Sequence, residues 1–171
     1  MEALPTTTEV LSRIRERRAE LDALVSALDP ASMTHPGPDG WTPADHLAHV
    51  AAWEQSLVAL LAGTPRHAAL GVSVETYDAG PDAVNIEVHR LHAGRTLDEV
   101  MSFYRRAHEE VIAAVARLSD SDLTRTYSSF QPDEPGDDSG APIVGWILGN
   151  TADHYDEHIE WIRRLTGKEA T

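Results

Sequence analysis

The sequence predicts an all-α protein, an antiparallel four-helix bundle with a long irregular connection between its second and third helices. Three observations support this fold class: apolar residues recur at helical spacing in four long segments, capping signals open these segments, and strand-like alternation is almost absent. A chain of 171 residues suits one domain, so we expect a single bundle domain over residues 1–171.

The first two long helices are marked by their start signals. The capping box Thr6-Thr7-Thr8-Glu9 predicts a helix that runs to Asp29-Pro30, and residues 32–40, rich in proline and glycine, predict a loop. Thr42-Pro43 then supplies an N-cap and a first-turn proline for the second helix, which ends at Gly63. Both segments are therefore predicted as long helices separated by a short loop.

The middle of the chain has a weaker pattern. Residues 64–81 show no sustained period, although residues 71–74 suit a brief extended segment, and Asp82 is expected to cap a short helix. A second capping box, Thr96-Leu97-Asp98-Glu99, opens the third long helix, which ends at residues 119–122. This region is the long connection of the predicted bundle.

The last helix carries two histidines on its apolar face. An acidic, breaker-rich stretch at residues 131–140 predicts a loop, and one continuous helix is expected from Pro142 to Gly167. The predicted core-facing stripe consists of Ile143, Ile147, Thr151, His154, His158, Ile162 and Leu165. His154 and His158 are thus predicted to face the bundle core.

Composition excludes several classes of function. The chain has no cysteine, so disulfides, thiolate zinc sites and cysteine nucleophiles are ruled out. A net charge of −14 opposes binding to nucleic acid phosphates and anionic membranes. Residues 1–8 resemble no secretory leader and no stretch is long enough to span a membrane, so we expect a cytoplasmic protein.

The two histidines of the last helix suggest a metal site. Imidazoles at positions i and i+4 of one helix face can share one ion, and a third ligand is expected from a facing helix. The second helix offers His46 and His49. Helical periodicity favours His46, which falls inside the apolar arc, whereas His49 lies at its edge. A site of three histidines with an open fourth position is typical of catalytic zinc.

The other polar residues near this pair, and the remaining histidines, are not predicted to be metal ligands. Residues 154–158 match the H-x-x-E-H pattern of a class of zinc peptidases, but too few residues follow His158 to supply a distant third ligand. Tyr155 and Glu157 are predicted to point away from the histidine stripe. The remaining histidines are interpreted as solvated: His35, His67, His89, His92 and His108.

These motifs resemble a known superfamily. Residues 40–50, containing Gly40-Trp41-Thr42 and the Leu-Ala-His string that ends at His49, together with the H-x-x-x-H of the last helix, resemble the DinB/YfiT-like four-helix-bundle metalloenzymes. That superfamily includes mycothiol-dependent maleylpyruvate isomerases and bacillithiol or glutathione transferases. The resemblance implies that His49, rather than His46, joins His154 and His158 as a ligand.

A second resemblance covers the chain more fully. Trp53-Glu54 and residues 149–155, added to the motifs above, resemble the ClbS/DfsB-type bundle proteins, some of which protect cells from reactive genotoxins and lack the histidine triad. One departure from the DinB pattern is Ile159-Glu160-Trp161, where an Arg-Gly-Gln segment is common in the superfamily.

The sequence therefore predicts a site for a divalent metal, zinc or nickel, held by His49, His154 and His158, that acts on a small electrophilic molecule. The resemblance implies transfer, isomerisation or hydrolysis, with a low-molecular-weight thiol as cosubstrate. The candidates for acceptors that orient the imidazoles are Asp45, Glu54 and Asp153.

Two alternatives stay open at this point. The first is a resistance protein that binds or detoxifies a reactive natural product without a metal, using aromatic surface from Trp41, Trp53, Trp146 and Trp161. The second is a non-catalytic helical interaction module, such as a homodimer, in which hydrogen bonds satisfy the core histidines.

Overall fold

The computed structural model describes residues 4–134 and 139–167, and helices account for almost all of its regular structure. Nine α-helices lie in these ranges: α1 (Thr7–Ser26), α2 (Pro30–Met33), α3 (Pro43–Ala62), α4 (Arg66–Leu70), α5 (Val74–Asp78), α6 (Pro81–His92), α7 (Leu97–Ala116), α8 (Ile143–Gly149) and α9 (Ala152–Thr166). Two single-turn 3-10 helices follow α7, and within the described ranges β-pairing is limited to an isolated bridge between Thr126 and Pro142. The all-α prediction is confirmed. Residues 135–138 of the predicted acidic loop lie outside the described residues.

The long helices begin where the capping signals predict. Thr6, Thr42 and Thr96 each accept a hydrogen bond from the backbone N–H three residues on, and the acidic side chain at that position bonds back to the threonine N–H. These reciprocal bonds satisfy donors that a helix start otherwise leaves free. Gly63 ends α3 with a φ of 69°, a left-handed conformation that glycine adopts without steric cost.

Helices α1, α3, α7 and α9 form the predicted four-helix bundle, in the order α1, α7, α3, α9 around its axis. Consecutive long helices α1 and α3 are therefore diagonal to one another. On the α1–α9 contact, Arg13 pairs with Asp153 and Arg163 pairs with Glu20, so residue numbers rise together along both helices. Helices α1 and α9 consequently run parallel, so the antiparallel arrangement expected from the sequence does not hold at this contact.

The other contacts fix the remaining directions. Arg18 of α1 donates to the Tyr104 carbonyl of α7, while Thr7, at the opposite end of α1, donates to Leu118 O, so these two helices are antiparallel. Helix α3 meets α9 in the antiparallel sense, and it therefore runs parallel to its neighbour α7. Parallel neighbours need a crossover connection that returns along the bundle, and this explains the long segment between them.

That connection contains more helix than the sequence predicts. Helices α4 and α5 occupy most of residues 64–81, and the expected extended segment is wrong because Val74 already begins α5. Helix α6 is present as predicted, but Gly80 rather than Asp82 is its N-cap and Pro81 is its first residue. Helix α2 likewise takes part of the predicted loop at residues 32–40. Short helices of one or two turns are too brief to leave a periodic pattern.

The prediction of one continuous helix from Pro142 to Gly167 is wrong. The chain breaks at Thr151, whose φ of −132° and ψ of −100° are not helical, and α8 and α9 lie on either side. Gly149, Asn150 and Thr151 all have weak helix propensity, and the Thr151 hydroxyl donates to the Ile147 carbonyl. None of the described helices is both long and apolar enough to span a bilayer.

Candidate metal centre and adjoining cavity

The capping box of α3 and the break before α9 together position four histidines at one level of the bundle. His46 and His49 lie in the first two turns of α3, and His154 and His158 lie in the first two turns of α9. Because α3 and α9 are antiparallel neighbours, the rings meet between them. His158 is fully buried, and His46 and His49 are 5% and 7% exposed.

Three of these side chains can converge on one point. His49, His154 and His158 each offer a ring nitrogen, and these nitrogens all lie within 4.8 Å of one another. The Nε2 atoms of His154 and His158 are 3.0 Å apart, and the His49 ring centroid is 5.2 Å from that of His154 and 5.0 Å from that of His158. This cluster of three imidazoles could hold a metal ion, for which ligand distances of about 2.0–2.1 Å are usual.

His46 occupies a different place from the other three. Its Nδ1 is 2.9 Å from His158 Nδ1, on the opposite edge of the His158 ring from the nitrogen that faces His154. His46 therefore hydrogen-bonds to the back of one member of the cluster. Helical periodicity correctly predicts that His46 is buried. The ring of His46, however, contacts the His158 ring and does not join the cluster of three.

Burial keeps the imidazoles uncharged. It lowers the pKa of His46 and His154 to about 4 and that of His49 to about 3, and it lowers the pKa of His158 well below its ordinary value. Repulsion between neighbouring imidazoles lowers the pKa of His49, His154 and His158 further. Neutral rings present the lone pairs that a metal needs.

Two ring nitrogens in the cluster are buried without a partner. His49 Nδ1 and His154 Nδ1 make no hydrogen bond to any part of the chain that the structure describes. An isolated buried polar atom costs free energy, so these nitrogens are unusual for a cluster with a purely structural role.

The predicted orienting carboxylates do not contact the cluster. Asp45 caps α3 and lies 3.6 Å from His89 Nε2, and Asp153 pairs with Arg13 on the surface. Glu54 is fully buried but bonds to other residues. Within residues 4–134 and 139–167, none of the three carboxylates hydrogen-bonds to His49, His154 or His158.

Glu54 instead belongs to a buried polar network deeper in the bundle, which the sequence does not predict. Its Oε1 accepts from the Tyr155 hydroxyl and lies 3.3 Å from both Arg18 Nη1 and His108 Nδ1. Tyr155, predicted only to point away from the histidine stripe, is fully buried in this network, and the prediction that His108 is solvated is wrong. The signal for this network was Arg18, which interrupts the apolar face of α1.

The histidine cluster opens into a cavity of about 640 Å³. This volume lies within the usual range for small-molecule sites. Ten residues line it: Pro38, Asp39, Trp41, His46, His49, Asn85, His158, Trp161, Arg164 and Leu165.

The aromatic surface of the cavity comes from two tryptophans. Trp41 and Trp161 lie on the His46 ring, with centroid distances of 5.1 and 5.7 Å, and Trp41 also stacks on His89 at 4.5 Å. Trp53 and Trp146, also expected to supply aromatic surface, do not line this cavity. His89 was predicted to be solvated, and its stacking on Trp41 corrects that interpretation.

Fold and site together define a class: a helical bundle with buried imidazoles beside a ligand-sized cavity. The chain belongs to the DinB superfamily, whose family model matches residues 13–162. The predicted resemblance is thereby confirmed. No curated protein sequence matches the chain significantly.

Solved structures share the fold at low sequence identity. The colibactin self-resistance protein ClbS, crystallised with double-stranded DNA, superposes with a TM-score of 0.72 at 15% identity, over 98% of this chain and 100% of its own. DfsB, described as a sibling lethal factor precursor, gives 0.70 at 19% identity, with 98% and 100% coverage. A mutant of the mycothiol-dependent maleylpyruvate isomerase gives 0.67 at 18% identity, over 92% of this chain and 60% of its own.

Proposed function

We propose that this protein is a divalent-metal-dependent enzyme that acts on a small electrophilic molecule, with His49, His154 and His158 as the metal ligands. The observation that carries the proposal is the convergence of three buried imidazoles, their nitrogens within 4.8 Å of one another, beside a cavity that two of them line. Three protein ligands and an open side are the arrangement of catalytic rather than structural metal sites.

The chemistry of the donors supports a transition metal. All three are imidazoles, which suit zinc, nickel, copper and iron, whereas calcium and magnesium prefer oxygen ligands. We therefore propose zinc or nickel. When bound, such an ion would supply Lewis acidity toward a substrate carbonyl or a thiol.

The chain's own residues have two further roles in this proposal. His46, hydrogen-bonded to His158 Nδ1, fixes the orientation and tautomer of that ring, as groups behind metal-binding histidines commonly do. Trp41 and Trp161 supply an apolar wall that excludes water from one side of the substrate. His46 stays the alternative ligand, and its contact with the far edge of His158 favours His49.

The proposed reaction class is suggested by one relative that shares the fold. A mycothiol-dependent isomerase shares the fold, so we propose transfer, isomerisation or hydrolysis of an electrophile with a low-molecular-weight thiol as cosubstrate. The net charge of −14 favours a small molecule over a DNA duplex as the partner.

Elemental analysis of tag-free protein tests the metal site. We expect about one equivalent of divalent metal in the wild type after loading, and a loss of most of it in His158→Ala, because two imidazoles bind far more weakly than three. His35→Ala, which removes an exposed histidine, is the matched control and should retain the metal. A wild type that cannot be loaded with zinc or nickel would exclude the proposal.

A second candidate is a resistance protein whose cavity holds a reactive natural product without a metal. It is favoured by the tryptophan-lined cavity, and by the fold shared with a protein named for colibactin self-resistance. Survival of cells exposed to an alkylating agent separates the two candidates. Protection that persists in His158→Ala supports the metal-free function, and protection that this substitution abolishes supports the metalloenzyme. A helical interaction module would bind neither metal nor small molecule.

A further inference from the structure

We propose that the cavity recognises an uncharged, planar molecule bearing a carbonyl oxygen, and that the side-chain amide of Asn85 donates a hydrogen bond to that oxygen. This inference rests on the proposed function and adds the chemical class of the substrate. It makes Asn85 a substrate-positioning residue on α6, an element that contributes no histidine to the cluster.

The amide of Asn85 has a fixed orientation. Trp53 Nε1 lies 3.1 Å from Asn85 Oδ1. An indole N–H can only donate, so the atom facing it must be the amide oxygen, and the ambiguity that usually attends an asparagine side chain is resolved. The Nδ2 group, with its two N–H donors, is consequently turned away from Trp53.

This Nδ2 group is available to a ligand. Asn85 lines the cavity, and its Nδ2 makes no hydrogen bond to the residues that the structure describes. This Nδ2 atom is not fully buried, so solvent reaches it. A donor held in place from behind, with its N–H groups free at a cavity wall, is suited to bind an acceptor such as a carbonyl oxygen.

Packing of α6 against the bundle holds Asn85 in position. Its neighbours Val84 and Val88 on α6 are 1% and 0% exposed, in a hydrophobic cluster that also contains Ala52 of α3. Trp53 packs against the same cluster, so the group that orients the amide is itself held by the bundle. The donor therefore requires little ordering when a ligand binds.

The rest of the lining indicates the shape and charge of the ligand. Trp41 and Trp161 present flat apolar surface, which favours a planar molecule. The charged side chains in the lining are Asp39 and Arg164, of opposite sign, and each already has a partner: Asp39 accepts from the Trp41 N–H, and Arg164 pairs with Glu160. With the buried histidines neutral, the charges of Asp39 and Arg164 cancel, so the lining has no net charge and an uncharged ligand fits it best.

Titration with a matched pair of probes tests the proposal. Acetophenone and ethylbenzene have similar shapes, but only acetophenone carries a carbonyl oxygen. Binding of each to the full-length protein is followed by ¹H–¹⁵N NMR for the wild type and for Asn85→Asp. This substitution keeps the oxygen that accepts from Trp53 and removes the N–H donors. Asn150→Asp, which alters an asparagine outside the cavity, is the control.

We expect Asn85→Asp to weaken acetophenone binding about fivefold, the effect of one neutral hydrogen bond, and to leave ethylbenzene binding unchanged. Asn150→Asp should change neither. In the wild type, the side-chain amide resonances that disappear in Asn85→Asp should shift with acetophenone and not with ethylbenzene.

Equal weakening of both probes, or no change in acetophenone binding, would overturn the proposal, as would a failure of both probes to bind. Repeating the titrations after dialysis against EDTA separates this inference from the proposed function. The dependence on Asn85 should persist in metal-free protein, and Asn85→Asp should still load zinc.

Discussion

His92 illustrates how a histidine predicted to be solvated is held by the fold. Its ring stacks on Phe103 with a centroid distance of 5.1 Å and an interplanar angle of 8°, and its Nδ1 is buried without a hydrogen-bond partner in the described chain. Burial, reinforced by repulsion from Arg95, lowers its pKa to about 4. The sequence does not predict this contact, because His92 is the last residue of α6 and its partner Phe103 lies on α7.

This pKa predicts an acid-sensitive contribution to stability. The unfolded chain protonates His92 below its ordinary pKa of 6.5, whereas the folded chain resists protonation down to about 4. The contribution is therefore fully present above pH 6.5, and it is lost as the pH falls towards 4. Between pH 6.5 and 4, the free energy of unfolding measured in urea should decrease more steeply in the wild type than in His92→Gln. The difference between the two slopes should be about 1 kcal/mol per pH unit. Equal slopes for the two proteins would contradict this assignment.

The choice of the third imidazole depends on contacts that a helical pattern does not encode. Helical periodicity correctly indicates that His46 is buried, but it cannot tell which edge of a neighbouring ring a side chain meets. The family motif selects His49, whose nitrogen lies among those of His154 and His158. The metal itself stays a prediction. Asn85 had no signal, because its orientation depends on Trp53, which lies 32 residues earlier in the chain.

Among the helices, the break between α8 and α9 shifts part of the predicted stripe: Ile143, Ile147, Thr151, His158 and Ile162 are buried as predicted, and two other members are not. A single helix from Pro142 would bury His154 and Leu165 together with Ile147. Because α9 starts afresh at Ala152, its buried face includes Tyr155 and Ile159 instead, and His154 and Leu165 are only partly buried. Sequence periodicity assumes an uninterrupted helix and so cannot detect such a change of phase.

The buried network that joins α1, α3, α7 and α9 is expected to matter for stability. Arg18 is 3% exposed, its Nη1 lies 3.3 Å from Glu54, and its Nη2 donates to the Tyr104 carbonyl. Arg18→Met removes the cation and leaves a fully buried carboxylate, so we expect the free energy of unfolding to drop by about 3–5 kcal/mol. Urea denaturation measures this loss.

Two further variants make the test specific. Adding Glu54→Gln to Arg18→Met removes the unpaired charge, so the double variant should regain at least half of the lost stability. Arg13→Ala breaks an ion pair in which both side chains are about half exposed, and it should cost less than about 1 kcal/mol. A double variant no more stable than Arg18→Met would show that the carboxylate is not the source of the loss.

At the scale of the whole molecule, the order of helices follows from chain connectivity. The sequence predicted four long helices and a long connection, and both are present. It could not predict that α3 and α7 run parallel, because direction depends on which faces meet. Because α3 and α7 run parallel, the connection through α4, α5 and α6 must be long enough to return the chain along the bundle. The same connection positions Asn85 at the cavity.

Net charge also acts at this scale. One structural relative was crystallised with double-stranded DNA, but this chain carries 28 acidic and 14 basic residues. We expect no mobility shift of a duplex of about 20 base pairs at about 0.15 M salt, because the overall repulsion outweighs isolated contacts. A shift that weakens as salt is raised would show that basic residues are gathered into a binding surface after all.

Calorimetric titration of metal-free protein with zinc tests whether His49, His154 and His158 share one divalent ion. We expect one site per chain in the wild type and an affinity lowered at least about a hundredfold in His49→Ala. In His46→Ala we expect a smaller loss, about tenfold, because a group behind a ligand contributes less than the ligand itself. Tight binding that survives in His49→Ala and vanishes in His46→Ala would contradict this ligand set.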